Sequence, residues 1–561
     1  MNQSTLPLGY SSPPPPPAPR GAVYTKHWVV ELLLDLAGYV SEANLVDSIA
    51  VEPAIGAGAF LVPMAERLVA SCIRQNRALL DCQGSIIAYE LDQAGAATAS
   101  AAVLAALLKS AVPKPTAEGL AARWVHVGDY LFDAPRLPRA HFVIGNPPYV
   151  RLEEIPSEAA ALYRNIYPTM RGRADLYVAF FEAALRQLTE NGVCAYICAD
   201  RWMLNQYGAE LRRLVTARFN VETVVEMHDV AAFDEDVSAY PAITVIRRGR
   251  QSRAVVASLG SGFASGSGRG LADSLSTVGE RPRLPLPIGL TATVLEGWFT
   301  GSDPWPCSAP QRLALLRRLE EQFEPLESAA TGTRVGIGVA TGLDSVFLTK
   351  DPRLVEDSRL LKLAMAQDTS TGHFRWSGHY LVNPWDDDGL VDIKQFPLLR
   401  AYLEAHQESV KKRNTAQKNP HGWFRTIDRI QMSLSGKPKL YVPDVKERFN
   451  PVLDTGEAYP HHNLYFIVSE AWNLEVLGGL LLSSIGQLFI EAYGVRMRGG
   501  YLRFQAQYLR RVRVPSPETV TTEQRDKLVK AFRLRDRELA DLVARKVYRL
   551  TESELPNGDQ H

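Results

Sequence analysis

The sequence predicts an α/β chain: a mostly parallel sheet covered by helices, followed by a second, mixed α+β domain. Three observations carry this. From Val23 to Arg250, short apolar runs alternate with longer segments whose Ala and Leu fall at helical spacing, the rhythm of βαβ units. Between Ser252 and Ser276 the composition turns to Gly and Ser, most densely over Gly260 to Gly270, and reads as a linker or loop. From Leu284 to Pro515 the rhythm is lost among Gly, Pro and aromatic interruptions.

The apolar runs place strands at Ser48 to Glu52, Ile86 to Glu90, Val125 to Gly128, Phe142 to Gly145, Val193 to Cys198, Val221 to Val225 and Ala242 to Ile246. Helices are expected over Thr25 to Leu36, Phe60 to Arg74, Gln93 to Leu108 and Asp175 to Thr189, with a charged closing helix at Glu523 to Tyr548. The expected organisation is a proline-rich tail over 1–22, a catalytic domain over 23–250, a linker over 251–283, a second domain over 284–515 and a C-terminal helix and tail over 516–561. No internal repeat is visible.

The 561 residues contain 62 Lys plus Arg and 62 Asp plus Glu, so no global field draws the chain to a polyanion and any such site must be local. Five cysteines, Cys72, Cys82, Cys194, Cys198 and Cys307, lack paired zinc spacing, so reduced thiols in a cytoplasmic setting and no structural metal are expected. Met1 to Arg20 carries Pro13 to Pro17 and lacks the basic-then-apolar order of a secretion signal. The longest apolar stretch, Val476 to Ile490, is short for a membrane span and is interrupted by Ser483, Ser484 and Gln487.

The most specific motif is Asn146-Pro147-Pro148-Tyr149, directly after the strand that ends at Gly145. In an open parallel sheet, ligands bind outside the carboxyl ends of strands. Two prolines stiffen the loop and fix its carbonyls, Asn146 offers an amide acceptor, and together they can grip a planar amino group, with Tyr149 stacked on its ring. An Asn-Pro turn alone is common; its place at a strand end gives it weight. The run Glu52-Pro53-Ala54-Ile55-Gly56-Ala57-Gly58-Ala59-Phe60 brings glycines to the mouth of a helix without the Lys-Ser/Thr of a phosphate loop. Glu90 and Asp129-Tyr130 stand at two further strand ends.

In this order the motifs resemble the gamma-class, TaqI-like DNA adenine-N6 methyltransferases. The resemblance implies a Rossmann-like class I S-adenosylmethionine-dependent methyltransferase domain, with a target-recognition domain after it. It implies cofactor contacts at Thr25, Glu52, Ala54, Gly56, Gly58, Glu90, Asp129, Tyr130 and Asn146, although Lys26 stands where the family's first motif usually has proline. Asn146, Pro147, Pro148 and Tyr149 would be catalytic, and Tyr149 and Tyr196 would stack on a flipped base. Asp175-Leu176-Tyr177 matches the segment before the helix beside this site. Gly336 to Asp344, Lys437 to Tyr441, Tyr465 and Tyr501 to Pro515 look, more loosely, like the specificity domain. Apart from the resemblance, Arg496, Arg498, Arg503, Arg510, Arg511 and Arg513, interleaved with Tyr501, Phe504 and Tyr508, suggest a DNA-binding surface. Lys411, Lys412, Arg413, Lys418, Arg425 and Arg429 with Trp423 suggest another.

The expected function is therefore methylation of adenine in duplex DNA from S-adenosylmethionine, in restriction–modification or phage defence. A separate endonuclease or defence subunit is a possible partner, and no membrane is expected. The alternatives are a methyltransferase acting on a protein glutamine amide, which is also a planar amino group, and a silent DNA-binding subunit.

Overall fold

The computed structural model describes residues 24–235, 240–260, 262–264, 268–279, 286–306, 310–494, 501–551 and 554. The tail expected over 1–22 and Cys307 lie outside them. The chain forms two compact units, the first ending at Pro310 and the second beginning at Gln311.

The first unit is built on strands β1 (Ala50–Glu52), β2 (Ile86–Glu90), β3 (Val125–Val127), β4 (Ala140–Gly145), β5 (Leu188–Ala199), β6 (Phe219–Glu226), β7 (Pro241–Arg248), β8 (Arg253–Leu259) and β9 (Leu290–Glu296). Its helices include α1 (His27–Ala37), α2 (Leu61–Arg74), α3 (Gln93–Lys109), α4 (Lys114–Trp124), α5 (Tyr130–Asp133), α6 (Ser157–Ile166) and α7 (Tyr177–Gln187). The described strands form one sheet in the order β3-β2-β1-β4-β5-β7-β6-β8-β9. Strands β1 to β5 pair in parallel, and β7 inserts antiparallel between β5 and β6. Strand order reverses between β1 and β4, which opens a crevice at their carboxyl ends. Helix α1 buries Val29, Val30, Leu32, Leu33 and Leu34 completely, at about 1.5–3 kcal/mol per side chain, and so holds the segment before it against the sheet.

The linker expected over 251–283 is corrected. Strand β8 lies inside it, pairs in parallel with β6 and antiparallel with β9, and carries the sheet onward. One of the glycines that suggested flexibility, Gly268, serves close packing. Helix Gly268–Ser276 lies against α1 so tightly that a Cβ at Gly268 would stand 2.4 Å from the Leu32 amide nitrogen and 2.7 Å from the Trp28 carbonyl oxygen.

In the second unit, Arg334–Ile337, Leu464–Val468, Lys439–Pro443 and Val452–Asp454 form an antiparallel sheet in that spatial order. A second sheet runs Leu348–Thr349, Tyr380–Val382, Leu360–Ala364, Tyr459–Pro460. The apolar stretch around Val476 is two helices, Leu474–Leu482 and Ser484–Tyr493, bent by 65°; no single helix among the described residues is long and apolar enough to cross a membrane. The closing helix is also two, Thr522–Leu534 and Arg537–Val547. Arg535 takes the left-handed conformation (φ 58°) and Asp536 caps the second helix at the Leu539 amide, so the break occurs without Gly or Pro. Phe532 and Leu528 of the first close on Gly478 and Gly479, so 516–551 belongs to this unit rather than standing apart.

Candidate active site

Three carboxylates line the carboxyl ends of β1, β2 and β3. Glu52 ends β1 fully buried, with no hydrogen-bond partner for either carboxylate oxygen. Burial first, then the Glu90 charge, pushes its carboxyl well above the usual range. Glu90 is fixed by backbone: Oε2 accepts from Gly56 N–H at 2.8 Å and Oε1 from Asp92 N–H at 3.1 Å. This ties β2 to the turn after β1. In that turn Gly56 (φ 52°) and Gly58 (φ 92°) are left-handed; space opens beside Gly56, while Gly58 packs on Ala99 of α3. Ala54 is half-buried in the same turn. Asp129, after β3, accepts from the Leu131 amide at 2.9 Å and from the Tyr163 hydroxyl of α6; burial raises its pKa against these donors.

On the other side of the switch point, β4 ends at Gly145 and Asn146-Pro147-Pro148-Tyr149 follows. Asn146 Nδ2 donates to Thr25 Oγ1 at 3.3 Å, so Thr25 takes the donor end of the amide and the acceptor Oδ1 faces away from it. Thr25 is positioned by a short antiparallel pairing: Thr25 bridges Phe233, Lys26 N–H donates to the Ala232 carbonyl at 3.0 Å, and Asp234 N–H to the Tyr24 carbonyl at 3.0 Å. Lys26 thus makes a bond that proline could not make. Pro147 is buried and Pro148 half-buried. The Tyr149 ring meets Phe233 edge-on, with its hydroxyl buried and without a partner. Leu176 N–H donates to the Val150 carbonyl at 3.0 Å, so the Asp175-Leu176-Tyr177 segment docks against the end of this loop.

Several expected site residues lie elsewhere. Tyr196 is fully buried in β5 beneath α7, packed against Phe181 at 5.1 Å, and offers no face to a base. The strand is buried on both faces from Val193 to Ala199, so neither face of β5 presents this ring to the crevice. The aromatic that Tyr149 does meet, Phe233, carries no sequence periodicity because it sits in the turn between β6 and β7. Tyr130 is likewise core: its ring stacks on Phe180 at 5.7 Å and its hydroxyl donates to Gln187 at 2.8 Å, so its side chain does not face a ligand.

Arg496 and Arg498 lie outside the described residues. Of the other four arginines of that cluster, Arg510 is exposed and Arg503, Arg511 and Arg513 are half-buried, and the first three already meet groups of the second unit. Arg503 pairs with Asp444, and Arg510 with Glu327 at 2.9 Å and the Val335 carbonyl at 2.8 Å. Arg511 lies over the Tyr493 ring at 4.7 Å, and the Nε of Arg513 is buried. Arg413, from the second cluster, donates to the carbonyls of Thr341, Trp423 and Arg425 and is also a framework residue.

Residues 139–233, which contain the Asn146 loop and end on Phe233, match the Eco57I restriction-modification methylase family. The Type II methyltransferase M.PaeR7I of Pseudomonas aeruginosa is 41% identical over 540 residues, 95% of this chain and 92% of that protein. M.XhoI of Xanthomonas vasicola is 41% identical over 560 residues, 96% and 98% of the two chains. The solved structure of the Type IIL restriction-modification enzyme MmeI in complex with DNA aligns with a TM-score of 0.56 at 12% identity, over 94% of this chain and 73% of that one, a likeness of fold. With near-complete coverage at this identity, the chain belongs to the Type II methyltransferases of restriction–modification systems and is a DNA methyltransferase.

Proposed function

We propose that the protein methylates the exocyclic amine of adenine, flipped out of duplex DNA, and that the second unit recognises the target sequence. The observation that carries the reading is the junction of Asn146, Thr25, Tyr149 and Phe233 at the end of β4, on the far side of the switch point from the three carboxylates.

S-adenosylmethionine is the expected cofactor, and the carboxylates fit it. It supplies a methyl group already activated on a sulfonium. Glu52, buried without a partner, suits an ammonium group: an arriving cation would draw its carboxyl back to the charged form. Glu90, fixed by two amides, suits ribose hydroxyls, and Asp129 an adenine amino group. On the target side, Asn146 Oδ1 and the Pro147 carbonyl would accept from the amine and favour a more tetrahedral nitrogen in the transition state, while Tyr149 and Phe233 hold the ring. The enzyme's contribution is orientation and these hydrogen bonds, with no covalent enzyme intermediate.

The test is incubation with methyl-labelled S-adenosylmethionine and unmethylated genomic DNA, followed by nucleoside analysis. N6-methyladenine at one recurrent sequence is expected, and Asn146→Ala should abolish it with cofactor affinity nearly intact. Label on cytosine, or none in DNA, would overturn the reading.

A further inference from the structure

The two sheets of the second unit meet at one turn. Tyr459–Pro460 belongs to the second sheet and Leu464–Val468 to the first, and His461 and His462 stand between them. The His461 amide donates to the Ala364 carbonyl at 3.0 Å, and the His462 amide to the Val339 carbonyl at 3.0 Å, so each sheet's neighbouring chain fixes one histidine. The chain beyond Ile337 passes so close that a Cβ at Gly338 would stand 2.2 Å from the His461 carbonyl oxygen.

The same stretch delivers Asp344, 117 residues from His461 in sequence. Asp344 Oδ2 lies 3.1 Å from His461 Nε2. Its Oδ1 accepts from the hydroxyl of Thr341, which is fully buried and held at its carbonyl by Arg413 at 2.8 Å. The two imidazole rings lie 4.0 Å apart between centroids, at 53°. One ligating atom from each of Asp344, His461 and His462 falls within 4.8 Å of the others.

Three observations suit this group to a cation. His461 is only 3% exposed, and its Nδ1 is buried with no partner among the described residues. No second hydrogen bond therefore fixes the tautomer, and Nε2 can present its lone pair to an ion as readily as donate to Asp344. Besides His461, the charges acting on His462 are those of Asp344 and Asp428, both acids. The 3.1 Å between Nε2 and Oδ2 is also near the edge of a tetrahedron about an ion with bonds of ~2.0 Å, which is about 3.3 Å. Two imidazoles and a carboxylate are donors for zinc and its first-row neighbours, whereas Mg²⁺ and Ca²⁺ take oxygen. Asp344 and His462 are exposed, so ion and water reach the group from solvent.

We propose that Asp344, His461 and His462 bind a divalent transition ion of the zinc class, with water completing its coordination, and that the ion pins the turn between the two sheets to the loop before Asp344–Phe347. Cysteine spacing gave no sign of the site because no cysteine takes part. Thr341 is a positioning residue that orients the carboxylate from behind. The unfolded chain does not bring residue 344 to residues 461 and 462, so the ion favours the folded state. The proposal is independent of the adenine reading.

The test uses the full-length, untagged protein, stripped with a chelator and titrated with Co²⁺ alone, then with Zn²⁺. One equivalent of Co²⁺ should bind with the visible absorption of a four- or five-coordinate site, Zn²⁺ should displace it, and Zn²⁺ should raise the wild-type Tm. His462→Ala removes an exposed ligand and Asp344→Asn weakens another; each should lower Co²⁺ affinity by about ten-fold or more and abolish the Tm rise. His421→Ala, an exposed histidine of the same unit outside the group, should change neither. A wild type whose spectrum and Tm respond to neither ion overturns the proposal. So does binding that both variants retain, which marks an adventitious site elsewhere. Binding lost in the variants, with a wild-type Tm that Zn²⁺ does not raise, overturns the pinning role.

Discussion

Tyr149 and Phe233 meet edge to face, with ring centroids 6.1 Å apart and planes at 80°. On the proposed adenine reading, a flipped base would have to part these two aromatics, brought together from the ends of β4 and β6. Stacking on an aromatic contributes about 1–3 kcal/mol per base. Phe233→Ala should therefore lower kcat/KM for DNA by about 10- to 100-fold, leaving cofactor affinity unchanged, with reduced capture of 2-aminopurine placed at the target position as the fluorescence check. Tyr196→Phe should leave kcat/KM within two-fold, because that ring is core and its hydroxyl makes only a 3.5 Å bond to the Phe180 carbonyl. The opposite ranking would restore Tyr196 as the stacking residue.

Glu52 should make the cofactor-free protein less stable as pH rises. Its folded pKa lies well above the unfolded value of about 4.3, so across that window the folded state keeps a proton that the unfolded chain has lost. The stability that this proton contributes is full below the unfolded pKa and declines as pH climbs toward the folded one. Each tenfold difference in proton affinity between the folded and unfolded carboxyl is worth about 1.4 kcal/mol. Glu52→Gln should raise the cofactor-free Tm at pH 7, flatten its pH dependence, and weaken cofactor binding by about ten-fold or more, read by calorimetry. A steeper pH dependence, or unaltered affinity, would remove Glu52 from the cofactor site.

The arginines of the second unit give the contrary expectation to their sequence pattern. Arg503 and Arg510 already hold Asp444 and Glu327 in partly exposed pairs. Their removal to Ala should cost about 0.5–1 kcal/mol of stability each and leave the salt dependence of DNA affinity unaltered. A residue that neutralises a phosphate would lower the slope of log K against log salt by about 0.9, and that change would return these residues to the DNA surface.

The catalytic sheet was legible because its strands are short apolar runs bounded by turns, and β1, β2, β4, β6 and β7 fall within a few residues of expectation. Glu52, Glu90, Asp129 and Asn146 were legible for the same reason: each stands where a strand stops. What pattern could not supply was facing and partnership. Tyr196 sits in a strand buried on both faces and packs on Phe181 of α7; Phe233 is fixed by pairing with Thr25, 208 residues away in sequence. The linker expected over 251–283 passed over β8, an apolar run without glycine, and the Gly/Ser run at Gly260 to Gly270 hid the start of a packed helix, because composition cannot separate a flexible glycine from one that admits a neighbouring backbone. In the second unit Lys437 to Tyr441 carries two lysines and an aromatic, yet Lys439 and Tyr441 are fully buried.

That burial supports a last prediction. Lys439 Nζ lies 3.4 Å from Asp454 Oδ2 and donates to the Ala458 carbonyl at 3.1 Å, while the Tyr441 hydroxyl donates to the same Asp454 oxygen at 2.8 Å. Asp454 also accepts from the amides of Gly456, Glu457 and Ala458, so it organises the turn after Val452–Asp454 as well as balancing the lysine. Burial lowers the pKa of Lys439 against the pull of Asp454. Lys439→Met leaves the buried carboxylate without its counter-charge and should destabilise the protein by about 3 kcal/mol. Asp454→Asn keeps an acceptor for some of the amides but strands the ammonium. The double variant removes both charges and should recover part of the loss, a coupling of about 1–3 kcal/mol in the cycle. Denaturant unfolding of the four proteins checks this. Additive losses would show that the two charges act on the sheet separately and that the amides alone account for Asp454.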